Sequence, residues 1–323
     1  MDNHLFCSGL FITFAPMFAN RAIYHLAAFV TVAIWGSTFV FTKMLLDEGL
    51  SPAQIFTLRF AIAYIILLAY SLRHKPESRT SRATAPPYPR TPDLRLLLLG
   101  ITGGSLYFLL ENAALLYTTA TNTSLIVCSC PLFTMLLIAA VYRRSERITR
   151  RQALGSVLAC LGMAVVVLNG HFVLHLSPLG DMLAFGACLC WAVYSLLMKQ
   201  VSGTYDSLTI TRKVFFYGLL TILPYYLFVP QEAHLCTILM NLSAQGYFNL
   251  LFLGVIASML CYLVWSWVIR RLGAVEATNW VYVNPVSTII FAWWILDEEI
   301  TPWFLMGTAL ILLGLFFCDK RQK

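Results

Sequence analysis

Charge is scarce in this chain. Only 11% of its 323 residues are Asp, Glu, Lys or Arg, against roughly 25% in soluble domains. A water-soluble fold of this size would lack the polar surface to cover itself. Histidine is absent from the interior of the apolar runs: His4, His25, His74, His171, His175 and His234 stand in tails, loops or run ends. A serine hydrolase working within the bilayer therefore has no deep base. An aspartyl protease there needs two deep Asp residues, and Asp47, Asp181 and Asp297 all lie near run ends. No G-x-x-x-x-G-K-[ST] phosphate loop occurs, which argues against ATP as an energy source within the chain. These absences speak against an enzyme. Nine cysteines are present, but Cys128 and Cys130, like Cys188 and Cys190, sit inside apolar runs without histidine. They read as small packing residues rather than metal ligands. No metal and no cofactor is expected.

What is abundant is apolar: 59% of the chain, with a mean hydropathy of +0.75. A spanning helix takes roughly 20 apolar residues. Apolar segments recur near residues 24–46, 52–72, 96–117, 120–142, 152–171, 179–199, 208–229, 246–269, 275–296 and 300–318. The expectation is an all-α integral membrane protein with ten transmembrane helices. Residues 1–23 read as an N-terminal lead-in, with Met1 and Met17 both candidate starts, and residues 319–323 as a cytoplasmic tail. The interruption at 73–95, with Pro86, Pro87, Pro89 and Pro92, reads as a flexible loop.

A net charge of +7 would suit a nucleic-acid binder, but its distribution points elsewhere. With the N-terminus inside, 20 of the 22 basic residues fall in inside segments, among them Arg21, Arg73, Arg143, Arg144, Arg270, Arg271 and Lys320. The outside loops carry Asp47, Glu48, Glu232, Asp297, Glu298 and Glu299 instead. This is the positive-inside asymmetry of a multi-pass protein of the cytoplasmic membrane with both termini cytoplasmic. The partners it implies are the lipid bilayer and a small-molecule substrate, with no nucleic acid. The oligomeric state is not written in the sequence.

The chain also repeats itself. Trp35 and Lys43 match Trp191 and Lys199; Gly100, Ala120 and Pro131 match Gly254, Ala274 and Pro285; Gly155 and Gly162 match Gly307 and Gly314. The order is the same in both halves, and the offset drifts only from 156 to 152. Each half, 24–172 and 178–318, holds five spans, so the second copy enters the membrane upside down. Inverted repeats are a recurring design of secondary transporters. Glycines seven apart lie two helical turns apart on one face, which predicts that the fifth and tenth spans are close-packing helices.

The ordered set of Trp35-Gly36-Ser37-Thr38-Phe39, Pro131-Leu132-Phe133-Thr134, Trp191-Ala192-Val193-Tyr194, and Pro285 with Glu298 and Thr301 resembles the drug/metabolite transporter superfamily, in particular its EamA-type members. The resemblance implies two five-helix halves around a central cavity and transport of a small organic solute. It tilts the expectation toward export of a metabolite or amino acid. The stretch from Pro131 to Thr149 is two residues longer than its counterpart from Pro285 to Thr301, which leaves the end of the fourth span unsettled.

Ionisable residues inside spans need a reason. Arg59 and Glu111 stand at matching depth and are of opposite sign. One reading is a salt bridge that fixes helix packing. The other puts both in the cavity, where Arg59 holds a substrate carboxylate and Glu111 titrates, a candidate for proton coupling. The candidate substrate-binding set is Trp35, Arg59, Tyr107, Glu111, Trp191, Tyr262, Trp265 and Asn284, since aromatic faces suit amphipathic or ring-bearing solutes. Trp265 stands opposite Glu111 in the repeat, so the second half offers no equivalent acid. Lys43 reads as a snorkelling residue near the outer end of the first span. Pro131 and Pro285 read as symmetric hinges or kinks. The competing function is a passive channel or facilitator.

Overall fold

The computed structural model describes residues 21–73, 94–118, 120–142, 149–168, 177–229, 235–296 and 302–318. Most of the lead-in and of the proline-rich interruption, the basic run after the fourth segment, the acidic residues 297–299 and the tail lie outside these. The described residues are helical and contain no strand. Their helices are α1 (Ala22–Asp47), α2 (Pro52–Arg73), α3 (Leu94–Tyr117), α4 (Ala120–Val127), α5 (Cys130–Val141), α6 (Arg150–Leu168) and α7 (Pro178–Val201). There follow α8 (Ser207–Phe228), α9 (Leu235–Asn241), α10 (Ala244–Leu272), α11 (Ala274–Asn279), α12 (Asn284–Leu296) and α13 (Pro302–Cys318). Five of them, α1, α2, α3, α7 and α10, are long and apolar enough to cross a membrane.

Side-chain caps open three of the second-half helices. Ser177 accepts from the Gly180 N–H ahead of α7, Asp206 from Thr209 ahead of α8, and Ser243 from Gly246 ahead of α10. Each satisfies one of the orphan donors at a helix start. The turns after α1 and α10 use Gly49 and Gly273 at φ +96° and +87°, a region closed to most side chains.

Two helices are locally irregular at repeat-related places. In α3 the segment Ile101–Ser105 is π-helical, with Gly104 at φ −133°, ψ −109°. In α10 the segment Phe252–Leu260 is π-helical. The fourth segment is interrupted in the first half and locally tightened in the second. Between α4 and α5 the chain turns at Cys128–Ser129, and between α11 and α12 it tightens into the 3₁₀ turn Trp280–Val283. Pro131 therefore sits in the first turn of a new helix rather than kinking an old one, where its missing N–H leaves no intrahelical bond unmade. The helix α9 was not foreseen in the loop after the seventh segment. Leu235, Ile238 and Leu239, spaced for one helical face, pack it onto the apolar cluster around Leu45 and Leu253.

The expected close packing of the glycine pairs is present. A Cβ on Gly162 would lie 2.7 Å from the Gly307 carbonyl, and one on Gly314 2.6 Å from the Gly155 carbonyl. Those glycines let α6 and α13 run backbone against backbone.

Candidate functional site

α1 supplies the centre of the site. Trp35 is partly buried, its indole N–H donating to the Ala257 carbonyl at 2.9 Å. Its ring meets Trp191 of α7 at 5.2 Å edge-on, Tyr262 of α10 at 5.8 Å and Trp265 at 5.1 Å. Tyr262 donates its hydroxyl to the Gly103 carbonyl at 2.7 Å, in the π-helical part of α3. Its ring, and not its hydroxyl, is left for a ligand. The Tyr107 ring lies 5.2 Å from Trp191, tilted by 49°.

The two charged candidates are brought to the same cavity but not to each other. Arg59 is 1% exposed. Its Nε donates to Ser258 Oγ at 2.9 Å, and its guanidinium lies 4.4 Å over the Phe108 ring. Its Nη1 has no hydrogen-bond partner. Glu111, 7% exposed, accepts from the Tyr107 hydroxyl at 2.7 Å, one turn earlier on α3. Among the described residues no ion pair within 4.0 Å joins Arg59 to Glu111. The packing salt bridge read from the sequence is therefore not formed: Ser258 and Phe108 hold one charge and Tyr107 holds the other.

The cavity between α1, α2, α3, α4, α5, α7, α10 and α12 is lined by Trp35, Thr38, Arg59, Tyr107, Phe108, Glu111, Cys128, Trp191, Tyr262 and Asn284, with Phe39, Val127, Cys130 and Val281. Every candidate but Trp265 reaches it. Trp265 is fully buried behind the lining, with its ring against Trp35 at 5.1 Å and Trp191 at 6.3 Å. Besides Arg59 Nη1, the Trp191 Nε1 and Asn284 Oδ1 atoms on its wall have no hydrogen-bond partner. Buried polar atoms are nearly always paired; these three are exceptions, and all line the same cavity. The space open to the centre of a water molecule is about 30 Å³, room for two or three waters at roughly 10–15 Å³ each. The site is small.

Ser258 and Phe108 were missed as partners of Arg59. Ser258 lies one helical turn before Tyr262 on α10, which is the spacing that puts both on one face. Lys43 does not end in the headgroups alone: its Nζ donates to the Leu115 carbonyl at 3.1 Å, near the C-terminus of α3, and lies 3.7 Å from Asp47. Among the described residues no cluster of three or more His, Cys, Asp or Glu could hold a metal ion.

An apolar helical chain folded around a small cavity with a cation, an anion and aromatic walls is the anatomy of a membrane transporter. The sequence matches the family model of the EamA-like transporter family over residues 22–168 and again over 178–318, and the chain belongs to that family. It is similar to an uncharacterized transporter of Archaeoglobus fulgidus, 27% identical across 92% of this chain and 98% of the relative. A probable terminal-alkyne amino-acid exporter of Streptantibioticus cattleyicolor is 27% identical across 94% of both chains. A probable amino-acid metabolite efflux pump of Salmonella typhimurium is 27% identical across 90% of this chain and 92% of its own. A crystal structure superposes with a TM-score of 0.65 at 18% identity, covering 92% of this chain and 96% of the other, which establishes likeness of fold.

Proposed function

We propose that this protein is a secondary transporter that exports a small organic solute, a metabolite or amino acid, across the cytoplasmic membrane by alternating access. The observation that carries the reading is the pair of unjoined charges, Arg59 and Glu111, on one aromatic-walled cavity. Arg59 offers an unpartnered N–H to a carboxylate. Glu111 faces either a substrate ammonium or a transported proton. Trp35, Trp191, Tyr107 and Tyr262 offer ring faces to an apolar or cationic group. The amino-acid export named for two of the relatives agrees with that chemistry.

Alternating access needs two halves that exchange conformations, here ten helices as two inverted repeats over 24–172 and 178–318 with both ends cytoplasmic. Reciprocal packing supports the repeat. α3 packs on α7 as α10 packs on α1; α4 and α5 pack on α7 as α12 packs on α1; α8 packs on α3 as α2 packs on α10. The basic residues at the end of the bundle that carries Arg21, Arg270 and Arg271 support the orientation.

The test is metabolite analysis of the medium of cells expressing wild type, Arg59→Ala with Glu111→Gln, or an empty vector at matched membrane levels. One solute should accumulate outside with the wild type alone. Three identical media, with no uptake by reconstituted inverted vesicles offered the same metabolite pool, would sink the proposal. Glu111→Gln alone should leave transport without pH dependence; a profile unchanged from wild type would remove Glu111 from coupling. Substrate that crosses without saturation and without counterflow would favour the channel.

A further inference from the structure

A second cavity, about 270 Å³ on the same measure as the central one, lies at the end of the bundle that carries Arg21. Its polar end is formed by His25, Glu276, Asn279 and Trp280, and its apolar arm by Leu312, Leu315 and Phe316 of α13. Leu312 and Phe316 are 54% and 58% exposed on the outer face of the bundle, so the arm opens toward the lipid.

The polar end has a defined chemistry. Arg21 Nη2 lies 2.6 and 2.5 Å from the two Glu276 oxygens, and Arg21 is half exposed. Trp280 Nε1 donates to His25 Nδ1 at 3.1 Å. That puts the ring proton on Nε2, which stands 3.3 Å from Glu276. Asn279 is different: it is 4% exposed and its Oδ1 has no partner. An unpaired buried acceptor calls for a ligand that donates. The indole face of Trp280 beside it favours a cationic donor, and Glu276, although paired with Arg21, keeps lone pairs for a further N–H. The exposed remainder of the Arg21 guanidinium suits an anion a few ångströms away, and the apolar arm suits an acyl chain.

We propose that this cavity binds one lipid of the membrane with a zwitterionic, primary-amine headgroup of the phosphatidylethanolamine type. The ammonium donates to Asn279 Oδ1 and Glu276 beneath the Trp280 ring. The phosphate meets Arg21, and one acyl chain runs along Leu312, Leu315 and Phe316. A phosphatidylcholine headgroup has the cation but no N–H to give Asn279. A phosphatidylglycerol headgroup has hydroxyl donors but no cation for the Trp280 face. The site is separate from the transport cavity and independent of any transported solute.

The experiment is native mass spectrometry of the purified, delipidated full chain titrated with the three lipids carrying identical acyl chains. Wild type should retain one phosphatidylethanolamine about tenfold more tightly than either other lipid, the scale of one charge-assisted hydrogen bond. Asn279→Leu, which removes an orphaned polar atom, should melt no lower than wild type without lipid and should lose that preference. Leu315→Trp, which fills the apolar arm, should weaken all three. Equal retention of the three lipids by wild type overturns the proposal, as does an undiminished preference in folded Asn279→Leu. Should a variant fail to fold, the headgroup order of the wild type decides alone.

Discussion

Arg59 shows how a permanent charge is kept inside an apolar bundle without being neutralised. Its charge is spread over Phe108 and one N–H is fixed on Ser258, while Nη1 stays free. A lysine would keep the charge and lose the planar fork that makes both contacts at once. Arg59→Lys should therefore lower the transport rate by about tenfold or more, measured in vesicles at equal protein content; full activity would show that a point charge suffices. Trp35→Ala should lower transport with surface expression unchanged, because the indole is at once a cavity wall and the hub for Trp191, Tyr262 and Trp265. Full transport would exclude it as a cavity contact. Arg59 and Glu111 were legible in the sequence, because any ionisable residue stands out in an apolar run. Their partners were not: a serine and a phenylalanine are ordinary residues of membrane helices, and only the fold reveals which of them face a charge. The sequence also suggested that the two charges pair, since equal depth says nothing about which way each side chain points around its helix.

Glycine placement decides how closely the elements meet. A Cβ on Gly103 would fall 2.2 Å from Tyr194 Cδ2, and Tyr194 is fully buried. Gly103→Ala should destabilise the protein by about 1–3 kcal/mol, the usual cost of overpacking, and lower the melting temperature in detergent. An unchanged melting temperature would mean that α3 and α7 can part without loss. The helical segments were legible from apolar run length. The break at Cys128–Ser129 was not, because Val127 to Leu132 is as apolar as any unbroken stretch apart from Ser129. The prolines marked the right neighbourhood, but proline is at home in the first turn of a helix as well as at a kink, and only the structure distinguishes the two. The π-helical segments in α3 and α10 have no sequence signature beyond nearby glycines.

At the scale of the whole molecule, α1 is tied at both ends to the second half. Glu48 accepts from the Ser243 N–H at 2.9 Å and from its hydroxyl at 3.0 Å, and at the other end Arg21 and His25 meet Glu276. A mechanism in which access alternates requires the halves to move against each other. Vesicles loaded with unlabelled solute should therefore take up labelled solute faster than empty ones, and flux should saturate. Linear flux without counterflow would assign the protein to the channel class instead. The small volume of the central cavity bears on how water could cross the membrane here. A continuous file of water across a hydrocarbon layer of about 30 Å needs on the order of ten molecules, and this cavity has room for two or three. In the conformation seen here the central cavity is therefore too small to hold such a file by itself.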